Sequence, residues 1–261
     1  MKTAFTRHWP EYGMEALGLG LFMLSANGFA VLLFHPASPL AHVVGDGLGG
    51  RVVMGVGMGL TAVALIYSPW GQRSGAHFNP AVTLTFLRLG KVESWDATFY
   101  IAAQFAGGTA GALLAAVVGR SFVAAASVHY VVTVPGAAGS LVALLAEMAI
   151  AFGLMTVVLL TANHPHFMRY TGLFAGALVA TYIAVEAPLS GMSMNPARTF
   201  ASAVPASEWT AYWLYAIAPP LGMLLAAEVH VRRAASAVRC AKLNHTTARR
   251  CIFRCGYAAS R

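Results

Sequence analysis

Gly75–Leu84 reads GAHFNPAVTL and Gly191–Phe200 reads GMSMNPARTF. Proline fixes its own φ and has no amide hydrogen, so it is costly inside a helix but well suited to the first helical position. Asparagine is among the best residues to precede that position as an N-cap. Each Asn-Pro-Ala therefore reads as a helix start, at Asn79-Pro80-Ala81 and at Asn195-Pro196-Ala197. The apolar pieces that follow, Ala81–Leu89 and Ala197–Val204, are too short to cross a bilayer. About ten helical residues rise ~15 Å, half of a ~30 Å hydrocarbon core. The stretches leading in, Ser68–Phe78 and Ala187–Met194, read as irregular backbone, which is tolerated at membrane depth only when buried in protein or lining a water-filled path.

The rest of the chain supplies the membrane. Of 261 residues, 58% are hydrophobic and 10% charged, against roughly 25% charged in a soluble domain. Six apolar runs approach the ~20 residues of a spanning helix: Tyr12–Phe34, Val52–Tyr67, Ala97–Val118, Leu141–Ala162, Leu173–Val185 and Ala211–Val229. Lys2 and Arg7 ahead of the first run resemble a signal peptide, but the run continues to Phe34, which makes it an uncleaved first helix.

The net charge of +8 does not indicate nucleic acid. Eight Lys/Arg and no Asp or Glu lie from Arg232 onward, leaving nine basic and nine acidic residues before it, so the excess is a tail. Sequence divides accordingly into a channel-like unit, residues 1–231, and a basic extension, residues 232–261. Placing the N-terminus in the cytoplasm puts fourteen Lys/Arg inside and only Arg51, Arg120 and Arg198 outside. Both termini are then cytoplasmic, and the expected location is the cell's inner membrane.

Two halves, about 1–120 and 140–231, rhyme. GMEALGLGLFML at Gly13–Leu24 matches LAEMAIAFGLM at Leu145–Met155, each with one carboxylate, Glu15 or Glu147, entering an apolar run. Three crossings per half is an odd number, so the second half starts on the opposite side of the membrane and the repeat is inverted. The two short helices then enter from opposite faces and meet near the middle. The fold class is an all-α membrane bundle of six spans and two half-helices.

With these motifs in place the chain resembles the aquaporins of the major intrinsic protein family, in its bacterial aquaporin or aquaglyceroporin-like form. SGAHFNPAVTL and SGMSMNPARTF, with Arg198 three residues after Asn195, carry the resemblance over about Tyr12 to Val231. It implies one pore per subunit, a homotetramer, and Glu15 and Glu147 holding backbone groups of the loops that carry the motifs. It also implies a constriction made by Arg198, Met192, Ile183 and either Met58 or Gly59, the last alignment being ambiguous by one residue. Strict water channels of the family have an aromatic and a histidine at two of these places, and neither is present. Thr199, Ala203 and Tyr212-Trp213 instead match water-selective members.

The resulting expectation is a passive channel for water and other small neutral solutes, not an enzyme, that excludes protons and ions. Glycerol or small-polyol facilitation is the alternative. A proton-coupled carrier is a second class, with Glu15 and Glu147 as its only titratable candidates. Two facing half-helix amino ends, each equivalent to roughly half a positive charge, repel cations, and Asn79 and Asn195 offer donors to a passing water.

No cofactor and no metal is expected. Cys240, Cys251 and Cys255 with His245 have zinc-ligand types, yet their spacing matches no zinc template. A metal site, a redox or acylated site and an ordinary tail remain open, the last preferred. The tail is read as solvated or resting on anionic lipid. His164 and His166 read as loop histidines, and His77 as lining the cytoplasmic vestibule.

Overall fold

A computed structural model describes residues 1–233, 238–245 and 249–257. The chain runs through helices α1 (Lys2–Phe34), α2 (Pro39–Val44), α3 (Leu48–Tyr67), α4 (Pro69–Ser74), α5 (Pro80–Arg88), α6 (Ser94–Ala124), α7 (Gly139–Ala162), α8 (Thr171–Val185), α9 (Ala187–Ser190), α10 (Pro196–Ala206) and α11 (Tyr212–Arg233). Six of these stretches are long and apolar enough to span a membrane, in α1, α3, α6, α7, α8 and α11.

The inverted repeat is visible in the packing. α1 packs most extensively on α6, and its counterpart α7 on α11, while α3 and α8 pair across the repeat. Each half-helix leans on the last span of the other half: α5 on α11 and α10 on α6. The α3–α8 pairing depends on missing side chains. A Cβ at Gly59 would stand 2.5 Å from the Gly176 carbonyl oxygen, so the two backbones approach as only small residues permit.

The spans differ from the sequence reading at their ends. α1 starts at Lys2, not Tyr12, because its polar first turns have partners: His8 Nδ1 pairs with Asp96 Oδ1 at 2.8 Å, and Tyr12 hydroxyl donates to the same oxygen at 2.6 Å. At about 50 Å for 33 residues, α1 is longer than a bilayer core and carries these turns beyond it. The lead-ins are not wholly irregular either. Each contains a short helix, α4 or α9, with proline in its first turn and a left-handed glycine behind it, Gly75 or Gly191.

The tail is where the reading from composition fails most. Its arginines Arg239, Arg249, Arg250 and Arg254 are exposed, but the described tail does not stand apart from the bundle. It folds back over the face that carries the N-terminus and the end of α11. Leu243 N–H donates to the Gly75 carbonyl at 3.1 Å, and Arg254 N–H to that of Lys91 at 3.0 Å. Lys242 Nζ donates to the carbonyls of Gln72 at 2.7 Å and Arg250 at 2.6 Å. Arg250 Nη2 reaches the Arg7 carbonyl and Arg239 N–H the Asn163 side chain. Val238, Cys240, Ala241, Leu243 and Phe253 are buried in the same apolar cluster as Ala81, Phe86 and Tyr100. These apolar positions alternate with the basic ones, so a net-charge count hides them.

Candidate functional site

The two half-helices begin as the motif chemistry requires. Asn79 Oδ1 accepts from Ala81 N–H at 2.8 Å, and Asn195 Oδ1 from Ala197 and Arg198 N–H at 3.1 and 3.2 Å. Pro80 and Pro196 stand at the first helical positions, where no amide hydrogen is needed. Each Asn amide then crosses to the other half. Asn79 Nδ2 donates to the Met194 carbonyl at 2.7 Å and Asn195 Nδ2 to the Phe78 carbonyl at 2.8 Å. The tips of α5 and α10 are thus tied together by reciprocal bonds. A primary amide has two hydrogens, so each Asn retains one beyond the crossing bond.

The loops behind the tips are strained and braced in duplicate. Ala76 and Phe78 in one, Met192 and Met194 in the other, have φ of 57°, 47°, 53° and 53°. Non-glycine residues in this left-handed region cost on the order of 1–3 kcal/mol each and persist only where surroundings hold them. The buried Glu15 and Glu147 carboxylates do so. Glu15 accepts from Ser74 Oγ (2.7 Å), His77 N–H (3.1 Å) and Phe78 N–H (2.6 Å). Glu147 accepts from Ser190 Oγ (2.7 Å), Ser193 N–H (2.6 Å) and Met194 N–H (2.7 Å). Tyr100 and Tyr215 complete the symmetry by donating to the Ser74 and Ser190 carbonyls, each at 2.6 Å.

Those serines and tyrosines were not singled out by sequence. The signal was present, since a serine stands five residues before each motif Asn and a tyrosine lies in the last span of each half. Gln104 was also missed as a brace: its Nε2 bridges Glu15 Oε2 at 2.8 Å and Thr83 Oγ1 at 3.1 Å.

A cavity of about 340 Å³ passes the tips. Phe34 and Arg51 line it towards the face opposite the N-terminus, His77 and Leu243 towards the N-terminal face, and Asn79 and Asn195 between. Of the expected constriction residues, Arg198, Met192, Ile183 and Met58 all line this cavity, whereas Gly59 lies against α8. Arg198 Nη1 is buried with no hydrogen-bond partner among the described residues. Both ring nitrogens of His77 are engaged: Nδ1 lies 3.0 Å from Thr83 Oγ1, and Nε2 2.8 Å from the carbonyl oxygen of Ala241 in the tail.

The tail brings together the residues whose sequence spacing left a metal site open. Although the spacing fits no template, the ligand atoms of Cys240, His245, Cys251 and Cys255 all lie within 4.8 Å of one another.

Six spans in an inverted repeat, with two half-helices joined at their asparagine-capped tips beside one lengthwise cavity, define an integral multi-pass membrane protein of the channel type. The sequence profile of the Major intrinsic protein family matches residues 4–230, and the chain belongs to that family, whose members are channels and not enzymes. It is 36% identical to Aquaporin TIP4-4 of Zea mays over 70% of this chain and 74% of that one. It is 33% identical to the Glycerol uptake facilitator protein-like 6 of Lactiplantibacillus plantarum over 80% of this chain and 92% of that one. Among solved structures, the aquaglyceroporin from Plasmodium falciparum superposes with a TM-score of 0.69 at 18% identity, covering 87% of this chain and 96% of that one, a likeness of fold.

Proposed function

We propose that the chain is a passive channel for water and other small neutral solutes, excluding protons and ions at the paired half-helix tips and at Arg198. The observation that carries this reading is the reciprocal bonding of Asn79 and Asn195 at the side of a continuous cavity. Both helix amino ends meet there, so a hydronium or metal cation faces two positive partial charges in a space with little water to screen them. The free hydrogen of each Asn amide donates to a passing water oxygen. A water accepting from both has no lone pair left to accept from its neighbours, and the proton-hopping chain is broken there.

Arg198 supplies a permanent cation with a fork of donors that replaces part of a solute's hydration. Its unpartnered Nη1 supports that use, because a buried donor without a partner costs on the order of 1–3 kcal/mol unless something in the cavity accepts from it. Met58, Ile183 and Met192 form the apolar wall beside it. That wall, without a histidine or aromatic ring, favours a second reading as a facilitator of glycerol or small polyols. The protein is read as a homotetramer with both termini cytoplasmic, on the strength of the family and the basic face.

The deciding measurement is light scattering from proteoliposomes after an osmotic step, run with water, glycerol, urea and ammonia in parallel. Water flux with low activation energy and no dependence on a proton gradient supports the channel. Saturable, pH-driven uptake would replace it with a carrier.

A further inference from the structure

The arrangement of the tail goes beyond conduction itself. Cys240 Sγ lies 3.6 Å from Cys251 Sγ, and Cys255 Sγ 3.2 Å from His245 Nε2. A tetrahedral zinc site with Zn–S of about 2.3 Å and Zn–N of about 2.0 Å has S···S edges of about 3.8 Å and S···N edges of about 3.5 Å. These two separations are within a few tenths of those edges, and all four ligand atoms lie within 4.8 Å of one another. All three cysteines are free thiols, and two sulfurs 3.6 Å apart are well beyond a disulfide's ~2.05 Å.

The surroundings suit the ion. Three thiolates and one neutral imidazole around a divalent cation leave one negative charge. Lys242, two residues after Cys240, brings a positive charge beside the cluster, and the Arg250 carbonyl holds its ammonium at 2.6 Å. His245 packs against the Tyr257 ring at 4.7 Å between centroids, and Tyr257 hydroxyl donates to the Ala162 carbonyl at the end of α7. Such outer contacts fix the orientation of a ligand imidazole. Thiolate-rich, four-coordinate sites select zinc over magnesium or calcium.

The same segment occupies the pore mouth. Leu243 lines the conducting cavity itself. Ala241 offers its carbonyl to His77, and the Phe253 ring stacks on the His77 imidazole at 5.4 Å with 10° between planes. The tail spans the opening from Arg7 of α1 to Gln72 and Gly75 of the first half-helix loop, Lys91 beyond α5 and Asn163 beyond α7.

We propose that Cys240, His245, Cys251 and Cys255 bind one zinc ion, and that this ion holds the tail as a plug across the mouth on the N-terminal face. Binding forms three Zn–S bonds and one Zn–N bond and releases up to three thiol protons, with no change of oxidation state. Losing the ion removes the one link that would join residues 238–245 to residues 249–257 through a shared centre, leaving the docking to the separate hydrogen bonds and apolar contacts above, and the mouth opens. To take the mouth from about nine-tenths closed to nine-tenths open, the ion must favour the docked tail by roughly eightyfold, and the permeability then rises roughly ninefold.

The full-length protein, purified under reducing conditions, is incubated with zinc, desalted and assayed for metal by mass spectrometry. A triple Cys240→Ser, Cys251→Ser, Cys255→Ser variant and the milder His245→Ala are treated alike. The expected result is one tightly held zinc per wild-type chain, lost in the triple variant. Cobalt in its place should give the thiolate charge-transfer and tetrahedral d–d absorption bands. In proteoliposomes, stripping zinc with a chelator should raise osmotic permeability of the wild type roughly ninefold, while the triple variant is open and indifferent to chelator. Wild-type zinc no higher than the triple variant's overturns the site. Equal permeability with and without zinc overturns the plug. The flux arm rests on the channel reading and the metal arm does not: absence of flux for every solute in every variant sinks that reading while zinc content still judges the site.

Discussion

Asn79 Nδ2 and the Met194 carbonyl oxygen are 2.7 Å apart, and this bond is matched by Asn195 Nδ2 and the Phe78 carbonyl at 2.8 Å. Each asparagine therefore does two jobs with opposite ends of one side chain. Its oxygen caps its own half-helix and its nitrogen grips the backbone just ahead of the other.

Aspartate separates those jobs. Asn79→Asp keeps the acceptor for Ala81 N–H but has no hydrogen for the Met194 carbonyl, so two oxygens are left facing each other at 2.7 Å. It also places a carboxylate where two positive helix ends meet. The expected outcome for Asn79→Asp and Asn195→Asp is a folded channel with reduced water flux and a new cation or proton leak, read with a pH-sensitive dye inside proteoliposomes. A double variant as ion-tight as the wild type would remove the asparagines from charge exclusion.

The two carboxylate braces make a paired prediction. Glu15 and Glu147 each accept from one serine and two backbone N–H groups of their own loop. Glutamine keeps one oxygen and turns an NH2 group toward those donors. With charge-assisted bonds contributing about 1.5–3 kcal/mol, either substitution should destabilise by about 2 kcal/mol and lower the unfolding temperature by roughly 5 °C. Thermal unfolding in detergent tests this: the shared serine and backbone donors predict shifts of the same order for Glu15→Gln and Glu147→Gln, although Glu15 also accepts from Gln104. A shift for one and none for the other would show that the loops are braced differently.

The symmetry explains why so much was legible in advance. Six apolar runs, two Asn-Pro-Ala starts and one carboxylate per half are local patterns with a direct physical reading, and the odd number of crossings fixes the inversion. Tyr100 and Tyr215 were illegible because a hydroxyl reaching a loop carbonyl from another helix leaves no local pattern, only an equivalence between halves. The zinc-like cluster was illegible for a related reason. Cys240, His245, Cys251 and Cys255 converge because the tail docks on loop carbonyls, and nothing in the spacing of ligands reports that docking. Spacing left Met58 and Gly59 one residue apart in rank, whereas geometry separates them.

Met58 and Gly59 should therefore fail in different ways. Met58 is buried and lines the cavity, so Met58→Ala widens it and should raise glycerol and urea flux relative to water with a stability cost of about 2–5 kcal/mol. Gly59→Ala brings a methyl to 2.5 Å from the Gly176 oxygen, which pushes α3 from α8. Its expected signature is a lowered unfolding temperature and poor yield with an unaltered solute ranking. The reverse pattern, a changed ranking for Gly59→Ala alone, would move the wall by one residue.

Arg198 offers the sharpest test of selectivity because it combines charge, size and donors in one place on the cavity wall. Its backbone N–H also helps cap α10 through Asn195 Oδ1, and substitution by alanine or lysine keeps that bond, so the helix start survives. Arg198→Ala removes the guanidinium and leaves apolar Met58, Ile183 and Met192 around a wider opening. Glycerol permeability relative to water should rise about tenfold, the factor set by about 1.4 kcal/mol of lost discrimination, and a cation conductance should appear. Arg198→Lys retains a charge but not the planar fork, so it should keep cations out while relaxing the solute ranking part of the way. Parallel water, glycerol and potassium fluxes for the three proteins distinguish these roles. An alanine variant with wild-type ratios for all three would place the filter elsewhere along the cavity.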